Sequence, residues 1–227
     1  FSMLMYRLTR KLIRDPKQFF IDFVENRKHL KVDPKNTIFA FNIKEWKRPY
    51  LEKFYPQRKI VYIPINLNES LLKKKYLPHI IENDIEVLVW GMTLPKVIRD
   101  SSAKITYVED GFIRSVGLGS AHAPPMSLNF DCKTAYFNAQ QASNLEDIIN
   151  TYDFESDPEL MARAKRLKNT LLNTGISKYN HSSDVEISSI YGEKTKKRVL
   201  VLGQVEDDAS IKYGCSISIT NNDLVRL

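Results

Sequence analysis

The sequence has few of the residues that mark specialised protein classes. Of its 227 residues only two are cysteines, and neither Cys132 nor Cys215 has a CxxC partner or a histidine at metal-ligand spacing. Neither a disulfide scaffold nor a metal site is therefore predicted, and a reducing, cytoplasmic compartment fits. Eight glycines and ten prolines are too few for a low-complexity chain. The best apolar run, at residues 86–92, is too short to span a membrane.

What the chain does contain is apolar residues, at 43%, enough to bury a core. Its net charge of +7 is unevenly distributed: residues 1–59 hold 15 of the 34 Lys and Arg but only 6 of the 27 Asp and Glu. The rest of the chain is close to neutral. A nucleic-acid-binding domain usually spreads positive charge over the folded surface that follows the phosphates. We therefore predict no nucleic-acid partner.

The basic N-terminal part, residues 1–35, predicts a separate helical segment. Within residues 4–30, leucine, isoleucine and phenylalanine recur at helical spacing among arginines and lysines. Pro16 should break the helix, because proline is tolerated in a first turn and not in a helix interior. Two roles stay open for this amphipathic segment: its apolar face packs on the rest of the protein, or it makes peripheral contact with an anionic membrane surface.

From residue 36 to 174, strand-like and helical stretches alternate. This alternation is typical of a parallel sheet with right-handed crossovers, and it predicts an α/β fold with a Rossmann-like domain. The predicted strands are 37–43, 59–65, 86–90 and 104–108, with a further one at 135–137. The predicted helices are 45–54, 69–83, 94–101, 144–151 and 158–173.

A polar stretch at residues 175–197 predicts a linker. The apolar run 198–202 that follows predicts the first strand of a second α/β domain. Because one strand and the start of a helix cannot bury a core, residues 198–227 are expected to be an incomplete start of that domain.

Carboxylates follow two of these strands directly, at 109–110 and at 206–208. Ligands of parallel sheets bind beyond the carboxyl ends of the strands, so both places are candidate sites. For any single carboxylate, capping the next helix or pairing with a cation such as Arg114 is an open alternative. The glycines near residues 111–119 belong to no phosphate-binding motif.

Seven short motifs occur in collinear order: YVEDGFIRS at 107–115, GLG at 117–119, PPMSL at 124–128, AYF at 135–137, SNLE at 143–146, SKYN at 177–180 and QVEDDAS at 204–210. Together they resemble the bacterial capsule polysaccharide synthesis family that includes the KpsC and LipB proteins. The resemblance implies the N-terminal half of a GT-B glycosyltransferase, one that retains configuration and transfers β-linked Kdo from CMP-Kdo to a sugar or glycolipid acceptor. It implies no cofactor and no metal.

By position, the resemblance implies that Asp208 is the nucleophile and Glu109 the acid/base. It also implies substrate-binding roles for seven residues: Asp110, Gly111, Arg114, Ser115, Ser127, Gln204 and Ser210. For Arg114 the alternative is a structural ion pair with Asp110 or Asp131.

The chain departs from the family pattern in its last part. Family members continue with a His-Pro motif and a Ser/Gly-rich loop that hold CMP, and none of the four histidines here precedes proline. The 227 residues are therefore expected to be inactive alone. The alternative function is a non-catalytic capsule export or scaffold protein that binds glycan or protein partners; carboxylates at both sites favour the enzyme. The expected location is cytoplasmic, at the inner face of the cytoplasmic membrane.

Overall fold

A computed structural model describes residues 2–180, 187–205, 208–215, 217 and 219–226. By its internal contacts the chain divides into two units, Phe1–Val108 and Glu109–Leu227. This division falls inside the stretch 36–174, and the domain organisation expected from the sequence stays a prediction.

Five strands form one sheet in the order β2-β1-β3-β4-β5. The strands are β1 (Thr37–Phe41), β2 (Lys59–Ile63), β3 (Val87–Trp90), β4 (Ile105–Asp110) and β5 (Leu128–Asp131). The pairs β1–β2, β1–β3 and β3–β4 are parallel, with Phe39 opposite Val61 on one side and Val87 on the other. The α/β class and the mostly parallel sheet are thereby confirmed.

Helices occupy the connections between the strands, as the alternation predicted. The α-helices are α1 (Ser2–Arg14), α2 (Pro16–Arg27), α3 (Arg48–Leu51), α4 (Glu69–Lys75), α5 (Leu77–Glu82), α6 (Lys96–Arg99), α7 (Asn144–Thr151), α8 (Pro158–Thr174), α9 (Ile187–Tyr191), α10 (Ala209–Gly214) and α11 (Asn221–Arg226). Short 3₁₀ helices lie at Glu45–Lys47, Glu52–Phe54 and Gly119–Ala121.

The core of the first unit lies around β1 and β3, whose residues are all buried. Leu72 on α4, Ile80 on α5 and Ile98 on α6 are buried with them. Parallel strands covered on both faces are apolar throughout rather than alternating, which explains the continuous runs TIFAF and VLVW.

Two of the predicted strands were wrong. Residues 135–137 form no strand, and the fifth strand lies at β5 instead. Residues 198–202 are not a strand either, and Val199 is 76% exposed. A parallel strand needs neighbours for its backbone hydrogen bonds, and the described residues offer this run none. In the predicted linker, α9 occupies 187–191, and residues 181–186 lie outside the described residues.

The N-terminal segment is broken at Asp15-Pro16, as predicted, into α1 and α2. α2 packs on the protein through a buried carboxylate: Glu25 is only 3% exposed, accepts a hydrogen bond from the Tyr76 hydroxyl, and lies 2.8 Å from Lys28 Nζ. Ile21 packs against the same core. The first of the two open roles therefore applies to α2. No helix in the described part of the chain is long and apolar enough to cross a bilayer.

The Glu25 network should make stability depend on pH. Burial raises the pKa of Glu25, but hydrogen bonds from Lys28 and Tyr76, with the charge of Lys75, lower it below its ordinary value of 4.5. Such a carboxylate stabilises the fold above its unfolded-state pKa and loses this effect as the pH falls through the folded-state pKa. We expect Glu25→Gln to lower the free energy of unfolding by about 2 kcal/mol at neutral pH.

This difference from the wild type should shrink as the pH falls from 4.5 through the lower folded-state pKa of Glu25, because the wild-type carboxylate becomes protonated over that range. Urea unfolding at neutral and acidic pH measures it. Glu69→Gln is the matched control, since Glu69 forms an exposed 2.8 Å ion pair with Lys73 within one helix. It should change stability by about 0.5 kcal/mol or less. Equal effects of the two substitutions would contradict the assignment of the network to Glu25.

Candidate functional site

Glu109 and Asp110 are the last two residues of β4, at its carboxyl end, and both are half-buried. The chain then turns back sharply: the Gly111 N–H donates to the Ser127 carbonyl at 3.0 Å. A Cβ on Gly111 would overlap the Ser127 side chain, so this position requires glycine. The Ser127 hydroxyl itself donates to the Ile113 carbonyl. Gly111 and Ser127 thus shape the turn that follows the carboxylates.

Arg114 lies at the centre of this loop and is fully buried. Its Nε is 2.8 Å from Asp110 Oδ2, and its Nη1 donates to Ser115 Oγ at 2.6 Å and to the Ala123 carbonyl at 2.9 Å. A Cβ on Gly119 would lie 3.2 Å from the guanidinium carbon, so glycine leaves room for the arginine. These contacts support the structural alternative, an ion pair with Asp110, for Arg114.

Ser115 is buried beside the same arginine, and its hydroxyl donates to the Gly117 carbonyl at 2.6 Å. The SKYN segment closes over it: the Lys178 carbonyl accepts from the Ser115 N–H, and Asn180 Nδ2 donates to the Ser115 carbonyl at 3.2 Å. The motifs at 107–115 and 177–180, about sixty residues apart in the chain, therefore pack against each other.

Asp208 is exposed and precedes α10 as its N-cap. Its Oδ1 accepts from the Ser210 N–H at 2.8 Å and from the Ser210 hydroxyl at 2.7 Å, which is the capping alternative open from the sequence. Within the described residues, no partner is found for Oδ2. Gln204 is exposed, and its backbone N–H and carbonyl both bond the Asn221 side chain. Glu206 and Asp207 lie outside the described residues.

Tyr136 connects the two carboxylate motifs. Its ring lies 5.1 Å from that of Phe112, in the loop after β4. The neighbouring segment contacts α10, because the Ala139 N–H donates to the Tyr213 carbonyl at 2.9 Å and Gly214 lies against the Phe137 carbonyl.

The pKa of the Tyr136 hydroxyl reflects carboxylates from both motifs. Burial raises the pKa of the Tyr136 hydroxyl, and three negative charges raise it further: those of Glu109, Asp110 and Asp208. Within the second unit, the segment 136–139 therefore contacts both the loop that follows Glu109 and Asp110 and the helix that follows Asp208.

Tyr136 is not among the site residues predicted from the sequence. The AYF motif is the available signal, but its composition predicts a strand. Gln204 and Ser210 are structural neighbours of Asp208, while Gly111, Ser115 and Ser127 hold the loop after β4. Among the described residues, no group of three or more His, Cys, Asp or Glu side chains is placed to hold a metal ion.

Comparison with known proteins gives a consistent result. Residues 86–226 match the family model described as capsule polysaccharide biosynthesis protein. The lipopolysaccharide-processing protein LpsZ of Rhizobium meliloti is 35% identical over 86% of this chain and 44% of its own length. The capsule polysaccharide modification protein LipA of Neisseria meningitidis serogroup A is 34% identical over 91% of this chain and 28% of its own length. The chain thus spans less than half the length of these relatives.

The fold of this chain is similar to two solved structures of Thermosulfurimonas dismutans KpsC. The β-Kdo 2,7 transferase has a TM-score of 0.58 and 29% identity, over 84% of this chain and 56% of that one. The β-Kdo 2,4 transferase has a TM-score of 0.60 and 32% identity, over 78% and 51%. With the family match covering more than half of its residues, the chain belongs to the capsule polysaccharide biosynthesis protein family.

Proposed function

We propose that this chain carries the two catalytic carboxylates of a retaining glycosyltransferase that moves β-Kdo from CMP-Kdo to a sugar or glycolipid acceptor. The observation that supports this most directly is that the segment 136–139 contacts both the loop after Glu109 and the helix after Asp208, and the charges of both carboxylates raise the pKa of Tyr136. Retaining transfer through a covalent intermediate needs two carboxylates at one centre. The similarity to two β-Kdo transferases supports the choice of sugar.

In the proposed reaction, an oxygen of Asp208 attacks the anomeric carbon of Kdo while the bond to the CMP phosphate breaks. CMP takes the electron pair and leaves, and Kdo is held as an ester of Asp208. Glu109 then removes the proton of the acceptor hydroxyl, whose oxygen attacks the same carbon and releases Asp208. Oδ1 of Asp208 serves the helix cap, so Oδ2 is the proposed attacking atom.

Asp110 and Arg114 have a supporting role in this proposal. Their ion pair holds the loop after β4, and with it the position of Glu109 at the end of that strand. Gly111, Ser115, Ser127, Gln204 and Ser210 shape the backbone around the two carboxylates. The proposal includes a cytoplasmic location and the predicted membrane contact of residues 4–30, because a glycolipid acceptor lies at a membrane surface.

Glu109→Gln tests the second step. Because CMP leaves as a stabilised anion, the first step needs no proton from Glu109, and the variant should release about one CMP per protein and then stall. Turnover should fall by about 10²- to 10⁴-fold. The measurements are CMP release and a mass increase on the protein with CMP-Kdo and a Kdo acceptor, using the protein encoded by the complete reading frame.

Glu146→Gln is the matched control, because Glu146 is exposed and also lies in a family motif. It should transfer Kdo at the wild-type rate. Normal turnover by the Glu109→Gln variant would rule out Glu109 as the base.

A further inference from the structure

α1 turns apolar side chains to solvent. Met5 and Tyr6 are more than half exposed, and Ile13 is 77% exposed. The four cations of the helix are exposed as well: Arg7, Arg10, Lys11 and Arg14. A helix on the surface of a globular protein normally buries its apolar side. The exposed apolar side chains therefore mark α1 as a contact surface.

The charges of α1 have one sign and lie on one face. The helix contains no acidic residue. Its four cations follow the i, i+3, i+4, i+7 spacing that places side chains on one helix face: Arg7, Arg10, Lys11 and Arg14. Asp15, which follows, is engaged as the cap of α2 through the Gln18 N–H at 2.9 Å. The helix therefore presents an apolar side and a basic side.

α1 is carried by a helix that is firmly attached to the first unit. The Glu25 network and the hydrogen bond from the Asn68 N–H to Asp22 Oδ1, at 3.0 Å, fix α2. Phe20 and Phe23 of α2 are exposed as well. The apolar side chains of α1 are thus presented on an anchored support.

We infer that α1 lies on the surface of a bilayer that contains anionic phospholipid, with Met5, Tyr6 and Ile13 at the boundary of headgroups and acyl chains. The four cations contact lipid phosphates, which is the charge complementarity that selects this partner. A second copy of the chain fits less well, because it would bring two groups of four cations together. The inference rests on the membrane contact in the proposed function and assigns that contact to α1, with α2 as its support.

Vesicle sedimentation tests this inference without donor or acceptor. We expect the protein to bind vesicles of phosphatidylcholine mixed with phosphatidylglycerol, and to bind phosphatidylcholine vesicles weakly. Binding to the anionic vesicles should decrease as salt is raised, because salt screens charges at the membrane surface.

An apolar substitution tests the inserted face. Ile13→Asp should weaken binding to the anionic vesicles by about tenfold or more, since it removes an apolar side chain from the membrane and adds a negative charge. Leu172→Asp on α8 is the matched control, because Leu172 is 72% exposed and lies in the other unit. It should bind as the wild type does.

A charge substitution tests the basic face. Replacing Arg7 and Arg10 together with glutamine should weaken binding to anionic vesicles by about thirtyfold, at roughly 1 kcal/mol for each cation near the surface. Replacing Lys165 and Lys168 on α8 with glutamine changes the net charge equally and is the control.

Three outcomes would overturn the inference: vesicle binding that survives Ile13→Asp, equal losses in the α8 controls, or a lipid-free dimer that Ile13→Asp dissociates, which would assign the face to a second copy. The test is separate from catalysis, because Asp208→Asn should bind vesicles like the wild type. If the protein bound vesicles normally but transferred no Kdo, that result would contradict only the proposed reaction and not the membrane contact of α1.

Discussion

Asp208→Asn is expected to reduce Kdo transfer by ~10⁴-fold or more while leaving the fold intact, because an amide cannot act as the nucleophile. Asparagine caps a helix as well as aspartate does, so its side-chain oxygen can still accept the two Ser210 hydrogen bonds. The substitution therefore separates the capping role from the chemical role. CMP release should be lost together with transfer, since both depend on the attack by Asp208.

Asp223→Asn is the matched control for Asp208→Asn. Asp223 lies in the same unit, near the start of another short helix, and accepts hydrogen bonds from the backbone and hydroxyl of Thr220. Its amide variant should transfer Kdo at the wild-type rate. Full activity after Asp208→Asn would contradict the covalent mechanism. Inactivity of the wild type as well, measured with CMP-Kdo and acceptor on the product of the complete reading frame, would favour the non-catalytic scaffold.

Arg114→Met is expected to lower the free energy of unfolding by about 3–5 kcal/mol, the usual cost of breaking a buried ion pair. Methionine approximates the arginine stem but removes the charge that faces Asp110. Asp110 Oδ1 is buried and finds no hydrogen-bond partner among the described residues, so its carboxylate depends on Arg114. The hydrogen bonds to Ser115 and to the Ala123 carbonyl are lost as well.

Arg58→Met is the control, because Arg58 forms a 2.5 Å ion pair with Glu86 in which both side chains remain about a quarter or more exposed. This substitution should lower the free energy of unfolding by about 1 kcal/mol or less. Urea unfolding measures both variants. Adding Asp110→Asn to Arg114→Met should recover part of the loss, because it removes the unpaired carboxylate. If Arg114→Met kept full stability and lost only transfer, Arg114 would be a substrate contact.

Much of the fold could be predicted from local patterns. The four parallel strands lie within two residues of their predicted bounds, and the break between α1 and α2 lies at Asp15-Pro16. α7 was predicted with its exact bounds, because Ser143 at its start caps the Glu146 N–H. These features depend on residues close together in the chain, where periodicity, proline and capping residues act.

The two wrongly predicted strands have the same cause. The runs 135–137 and 198–202 have strand-like composition, but a strand forms only beside another strand, and composition does not report neighbours. The sequence also left Arg114 and the capping role of Asp208 undecided. The Asp208 cap is made locally, with Ser210. The loop that contains Arg114 is held by residues distant in the chain, Lys178 and Asn180.

By itself, the sequence determined the α/β class, the basic N-terminal helices, the family motifs and the candidate carboxylates Glu109 and Asp208. Only the tertiary structure decided that the segment 136–139 contacts both the loop after β4 and α10, that Arg114 is buried, and that α2 packs while α1 exposes its apolar side. The physical reason is that helix and strand formation follow local periodicity. Burial, electrostatic environment and exposed apolar surface depend instead on which distant segments come into contact.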